Sequence, residues 1–276
     1  MIIEILCVGN ELLSGITLNS NAHWLAGQVA GAGGIVKRVT VVRDDLGEIS
    51  DAVKEILARK PDILVTTGGL GATYDDLTLE GVAMALDKKI VLDERAVQML
   101  RKSYAVRKLD YELTEARLKM AKIPEGSTPI QNLLGSAPAL FLQAGGMRIF
   151  CLQGVPTEMK AIFEKHVMPL VKKGVGRFVA QEVNYDVRGV TEAMIAHALA
   201  RIVESYPRED IYLKTHPRGY RKKTPQIRIQ LISRGKDKKE VKKRLDAIAK
   251  TIENEIARLG GRYVDFSAHR NCGRRC

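Results

Sequence analysis

Short apolar runs alternate with helically spaced apolar positions along the first half of this chain. Ile2 to Val8 is an apolar run broken only by Glu4, and Ala22, Leu25, Ala26 and Val29 then recur at the spacing of one helical face. Ile35 to Val42 is a second strand. Asp45 with Glu48 forms a capping box ahead of a helix carrying Ile49, Val53, Ile56 and Leu57. Ile63 to Thr67 reads as a third strand, and Leu79, Val82, Ala83 and Leu86 again share a helical face. This β-α-β-α-β-α order predicts a mostly parallel sheet with helices on both faces, a three-layer α/β/α domain.

Further on, 93–122 reads as helical, 139–144 and 147–152 as a hairpin around Gly145-Gly146, and 157–171 as an amphipathic helix. Lys172, Lys173, Gly174 and Gly176 mark a boundary. Beyond it the pattern is strand (178–187), helix (190–205), strand (211–216), strand (226–232) and helix (236–259), with Ile227, Ile229 and Leu231 alternating against Arg228 and Gln230. That predicts a small α+β domain whose sheet buries one face. The expected division is 1–172, 177–262 and a polar tail, 263–276, expected to be disordered.

Two domains also fit the length of 276 residues. The net charge of +12 falls mainly on the second: residues 1–179 hold 22 Lys+Arg against 20 Asp+Glu, residues 180–276 hold 22 against 12. The first apolar run lacks a cleavage pattern, and no stretch reaches the roughly 18 apolar residues of a membrane span. A cytoplasmic protein with no membrane partner is expected. Cys7 and Cys151 lie in strand-like runs and are expected in the core, whereas Cys272 and Cys276, with His269, are spaced too loosely to specify zinc.

The chemistry concentrates in Thr66-Thr67-Gly68-Gly69-Leu70-Gly71-Ala72-Thr73-Tyr74-Asp75-Asp76-Leu77-Thr78, between the third strand and the following helix. In open parallel sheets ligands bind beyond the carboxyl ends of strands. Glycines there let backbone N–H groups approach an anion at a helix N-terminus, so a phosphate is the expected ligand. Thr67, Thr73 and Thr78 add hydroxyls. Asp75 and Asp76 can accept from ligand hydroxyls or share a divalent cation with phosphate oxygens. A tight structural turn is the alternative.

Gly9-Asn10-Glu11-Leu12-Leu13-Ser14-Gly15 leaves the first strand and leads through Asn19 and Asn21 into a helix, and Arg43-Asp44-Asp45 follows the second strand. Both clusters open on the same sheet edge. Loop and N-cap chemistry accounts for them equally well, with Asp45 as a cap and Asp44 as a ligand or metal contact.

These residues together resemble the molybdopterin-binding (MoaB/MogA-like) domain, and are most similar to the version that opens proteins of the CinA family. The likeness continues through Asn132-Leu133-Leu134-Gly135-Ser136-Ala137-Pro138 and Gly154-Val155-Pro156-Thr157-Glu158-Met159, over about residues 1–172. The resemblance implies that Asp44 and Asp76 hold the positions of two acids in molybdopterin adenylyltransferases. It also implies hydrolysis of ADP-ribose to AMP and ribose 5-phosphate, assisted by Mg²⁺ or a similar divalent metal on Asp44, Asp75 and Asp76. By the same resemblance Asn132, Gly135, Ser136, Ala137, Pro138, Gly154, Pro156 and Glu158 join Gly9, Asn10, Glu11 and the Thr67–Thr78 turn around the substrate, and a homo-oligomer is expected. Ala72, Ala139 and Gln153 stand where the family usually has Pro, Gly and Pro. The likeness does not extend to the CinA deamidase segment, so nicotinamide-mononucleotide deamidation is not among the expectations.

Two other functions stay open. One is adenylyl transfer to molybdopterin. The other is a non-catalytic nucleotide-binding module whose basic stretch, from Lys214 through Arg218, Arg221, Lys222, Lys223, Arg228 and Arg234 to Lys239, takes RNA or another polyanion. A solvated face with ion-pair networks explains that stretch too, since Tyr212 and Tyr220 are its only aromatics and no Gly-x-x-Gly clamp occurs. His23, His166 and His197 on predicted helices read as packed or solvent-edge residues rather than bases, Trp24 as a core residue, and His216-Pro217 as the end of a strand.

Overall fold

The computed structural model describes residues 1–106 and 112–265. The chain forms two compact units, Met1–Gly176 and a second beginning at Arg177.

The first unit is built on a six-stranded sheet in the order β2-β1-β3-β8-β7-β6. Its strands are β1 (Ile2–Val8), β2 (Ile35–Val42), β3 (Ile63–Thr67), β6 (Thr128–Ile130), β7 (Ala139–Ala144) and β8 (Met147–Leu152). β1, β2, β3 and β8 run parallel, and at one edge β7 pairs antiparallel with β8 and β6 antiparallel with β7. Every residue of β3 is buried because both faces are covered. On one side α2 (Ser20–Gly31) packs with a long helical segment, through Leu25, Val29, Phe163 and Val171. On the other lie α3 (Leu46–Arg59) and α4 (Thr78–Ala85), through Ile49, Val53, Leu79 and Val82. A short α1 (Asn10–Leu13) follows β1. Trp24 is half-buried against this core, edge-on to Phe163.

Glu4 is buried at the edge of the β1 core, and Arg59 holds its carboxylate with contacts of 2.8 to 3.1 Å. At the start of α3, Asp45 accepts the Glu48 N–H at 2.9 Å as the pattern predicts. The reciprocal half differs: the Glu48 carboxylate accepts from Arg43 N and pairs with its Nε, tying the end of β2 to the helix.

The expected helix over 93–122 is broken. α5 (Glu94–Val106) ends early, Thr114 accepts from Arg117 N to start α6 (Glu115–Lys119), and β5 (Lys122–Pro124) pairs antiparallel with β4 (Ile90–Leu92). Pro124 cannot extend a helix, and Ile123 gains full burial in the strand. The amphipathic segment at 157–171 runs longer than its pattern suggests: α7 (Pro156–Ile162), a π turn (Phe163–Val167) and α8 (Met168–Val175) follow without a break. Pro169 lacks the N–H that an α-helix would send to residue 165, which favours the wider turn just before it.

The second unit runs β9 (Val179–Arg188), α9 (Glu192–Glu204), β10 (Ile211–Arg221), β11 (Thr224–Gly235), α10 (Lys238–Arg258) and β12 (Arg262–Asp265). Its antiparallel sheet has the order β10-β11-β9-β12, the split β-α-β arrangement. Ile227, Ile229 and Leu231 are buried with residues of α9 and α10, as their alternation predicts. His216-Pro217 does not end a strand. β10 continues through a register shift after Pro217 to a turn at Lys222-Lys223, because β11 offers it a partner along its whole length. Residues 263–265, expected in the tail, pair with β9. The rest of that tail, with His269, Cys272 and Cys276, lies outside the described residues. No helix among the described residues is long and apolar enough to cross a membrane.

Candidate functional site

Beyond the carboxyl ends of β1, β2, β3 and β8 the connecting loops enclose a cleft of about 300 Å³. Gly9 lines it from the turn after β1 and Glu11 from α1, Asp44 from the loop after β2, Thr67 from the end of β3, and Gly68, Gly69, Thr73, Asp75 and Asp76 from the loop that follows it. Gly154 and Pro156 enter from the loop after β8. Residues scattered over nearly 150 positions of sequence thus meet at one sheet edge.

Gly68 and Gly69 have φ of 98° and 65°, which turns the chain out of β3. The Gly68 N–H donates to the Leu152 carbonyl, so it serves the fold and not a ligand. The Gly69 N–H has no acceptor among the described residues. Further along, Thr73 N donates to Asp76 Oδ2 at 2.9 Å, and the Thr73 hydroxyl is shared between Asp75 and Asp76. Lys119, 46 residues away in sequence, donates from Nζ to the Thr73 carbonyl. Across the cleft, Asp44 accepts from Asn10 N at 2.8 Å, locking the first two loops together.

Several expected ligand residues lie elsewhere. Thr78 is fully buried: its hydroxyl donates to the Gly68 carbonyl at 2.8 Å and its N–H to the Gly69 carbonyl, so it holds the turn. Leu70 is in the core, and Ala72 packs on the small cluster around Ala96, Leu100 and Met120. Gly71 lies against the Asp76 carboxylate outside the cleft, and Asn10 takes part only through its N–H. Asn132, Gly135, Ser136, Ala137, Pro138 and Glu158 do not line the cleft. Asn132 Nδ2 donates to the Ala137 carbonyl and to Glu158 Oε2, while Asn132 Oδ1 accepts from Leu134 N and Gly135 N. Their polar groups are turned on one another. Asn19, Ser20 and Asn21, read from sequence as the lead-in to a helix, do line the cleft and form the N-terminus of α2. Asn19 caps that helix by accepting from Ala22 N, and Asn21 Nδ2 donates to the Gly154 carbonyl.

The lining carries four carboxylates, Glu11, Asp44, Asp75 and Asp76, and no Lys, Arg or His. The same lining includes Gly69, with its N–H, and the α2 N-terminus, both partly positive. The Thr73 hydroxyl, reinforced by the backbone and by Lys119, holds the Asp75 carboxyl below its usual range, so this side chain stays anionic into acid. Removing that hydroxyl in Thr73→Val is expected to move the Asp75 titration upward, toward the ordinary value of about 4. A carboxyl-carbon NMR titration checks the shift; an unmoved midpoint would show that the hydroxyl is not its cause. Among the described residues no three His, Cys, Asp or Glu converge to hold a metal by themselves. The arrangement suits a cation such as Mg²⁺, which is commonly held by one or two carboxylates and completed by phosphate oxygens and water.

Comparison with known proteins agrees with this architecture. Residues 4–173 match the family described as probable molybdopterin binding domain. A protein of Metallosphaera sedula is 40% identical over 94% of this chain and 95% of its own length. One of Sulfurisphaera tokodaii is 37% identical over 95% and 97%. The crystal structure of the protein CinA with unknown function from Thermoplasma acidophilum is 39% identical, superposes with a TM-score of 0.56, and covers 63% of this chain and 99% of that one. The chain belongs to the family of probable molybdopterin-binding domains, with a MoaB/MogA-like first unit and an additional antiparallel-sheet unit after it.

Proposed function

We propose that this protein is a divalent-cation-dependent nucleotide pyrophosphatase that cleaves ADP-ribose or a related dinucleotide. The observation that carries the reading is the composition of the cleft: backbone donors at Gly69 and the start of α2 share its lining with four carboxylates and no cationic side chain. A bare polyphosphate would be repelled there, whereas a phosphate accompanied by a divalent cation satisfies both the backbone donors and the carboxylates. One or two of Asp44, Asp75 and Asp76 would take the cation directly, with phosphate oxygens and water completing its shell, and Gly69 N–H with the first turn of α2 would hold phosphate oxygens. Bound there, the cation neutralises charge on the phosphates and lowers the pKa of water. Water oxygen forms a bond to one phosphorus, the bridging P–O bond breaks, and AMP and ribose 5-phosphate leave, with the released proton passing to solvent. The buried free thiols Cys7 and Cys151, the latter pushed up to about 12 by burial, suit a cytoplasmic setting. We place the protein there as a homo-oligomer; a single-chain mass in sedimentation would contradict the oligomer.

The family description names molybdopterin as a ligand, which supports a second reading, adenylyl transfer to it. There a pterin phosphate oxygen would take the place of water, bonding to the α-phosphorus of ATP as the α–β phosphoanhydride breaks and pyrophosphate leaves. Incubation with ADP-ribose, or with ATP plus molybdopterin, followed by product mass analysis, separates the two. AMP and ribose 5-phosphate formed with Mg²⁺ and lost with EDTA are expected. Adenylylated pterin would replace the first reading with the second, and neither product would remove both.

A further inference from the structure

The second unit carries a cationic surface that the cleft chemistry does not use. From Ile211 to Lys236 the sequence has no Asp or Glu but eight Lys and Arg. The structure gathers much of that charge at one end of the sheet. Val183, Tyr185 and Val187 of β9 and Ile227, Ile229 and Leu231 of β11 are buried against the helices, so the alternate residues lie on the opposite face. There Arg228 makes a bidentate pair with Asp186 at 2.6 and 2.9 Å. Arg228 foremost, then the more distant charges of Arg218 and Arg188, hold the Asp186 carboxyl below its usual range. Arg262 stands opposite Arg188 in the register of β12 and β9.

The β10–β11 turn extends the patch. Lys222 and Lys223 adopt φ of 47° and 63°, a conformation that such two-residue turns normally assign to Asn or Gly. Lysines at this tip are therefore not explained by backbone preference. Tyr220 beside them is 73% exposed, leaving an aromatic face open among the cations.

We propose that this sheet face and hairpin tip bind a single-stranded nucleic acid, with the cations following its phosphates and Tyr220 stacking on an unpaired base. A duplex offers no free base face, and an acidic peptide has no stacking partner for Tyr220. The surface is independent of the cleft reaction.

Fluorescence anisotropy of the full chain with a short labelled RNA, the same sequence as DNA, a duplex and poly-glutamate tests the proposal. Both single strands are expected to bind more tightly than duplex or poly-glutamate, with the tighter of the two identifying the natural source. The variant Arg218→Gln/Lys222→Gln/Lys223→Gln should lose at least about tenfold in affinity, and its salt slope should be shallower by about 2, near 0.7 for each phosphate contact removed. Tyr220→Ala should weaken binding severalfold at an unchanged slope. Lys242→Gln/Lys243→Gln, which removes exposed charge from α10, should bind as wild type does, and thermal melts should show every variant folded. Equal weakening by the α10 variant, an inert Tyr220→Ala, or duplex or poly-glutamate bound as tightly would overturn the proposal.

Discussion

Asp76→Asn is expected to fold normally and to lose about one to two orders of magnitude in turnover. Asp76 Oδ2 accepts the Thr73 N–H at 2.9 Å, a bond that the amide oxygen of asparagine can also accept. The turn should keep its shape, and thermal melts of the variant and wild type should nearly coincide. What disappears is the negative charge on the wall proposed to hold the cation. Losing a contact to a charged group typically costs about 1.5–3 kcal/mol, which is roughly 10- to 100-fold in rate. Asp76→Ala should differ from Asp76→Asn by also leaving the Thr73 N–H without its partner, and so should melt lower. Mg²⁺-dependent turnover and melting temperature measured on both variants separate charge from shape. Wild-type turnover in Asp76→Asn would take Asp76 out of the mechanism.

The sequence shows the position of this carboxylate but not its immediate partners. Strands β1 and β3 are legible because both faces are covered, leaving near-continuous apolar runs, and because amphipathic helices follow at short intervals. That order places the loops after β1, β2 and β3 at one sheet edge, which brings Gly9, Asp44 and the Gly68 turn together. Threonine is harder. A Thr near a phosphate turn can donate to ligand or to backbone, and only full burial shows that Thr78 is committed to the Gly68 carbonyl. Asn132 and Glu158, 26 residues apart, satisfy each other, and no local pattern announces that pairing. Lys119 reaches Thr73 because β5 returns to pair with β4, and two three-residue strands are too short to display a period of two.

Gly68→Ala is expected to destabilise the first unit far more than Gly15→Ala, although both glycines have positive φ. Gly15 has nothing within 4 Å of the position a Cβ would take, so its substitution carries only the backbone penalty. Forcing a non-glycine residue into a sparsely populated conformation costs about 1–3 kcal/mol. At Gly68 the Cβ would in addition run into the Val8 carbonyl of the neighbouring strand. Neither side can yield easily. The Gly68 N–H is fixed by Leu152, its carbonyl by Thr78, and Gly154 lies close by, with its own Cβ position 3.4 Å from the Gly68 Cα. Relief would have to separate β1 from β3 at the floor of the cleft, disturbing Gly69 and the loop after β8 together. Nucleotide binding should therefore fall with stability in Gly68→Ala, whereas Gly15→Ala, outside the cleft lining, should bind AMP as wild type does. Urea melts with calorimetric AMP titration check both parts. Equal midpoints for the two variants would show that the chain has room at Gly68 and that the turn is not what brings the loops together.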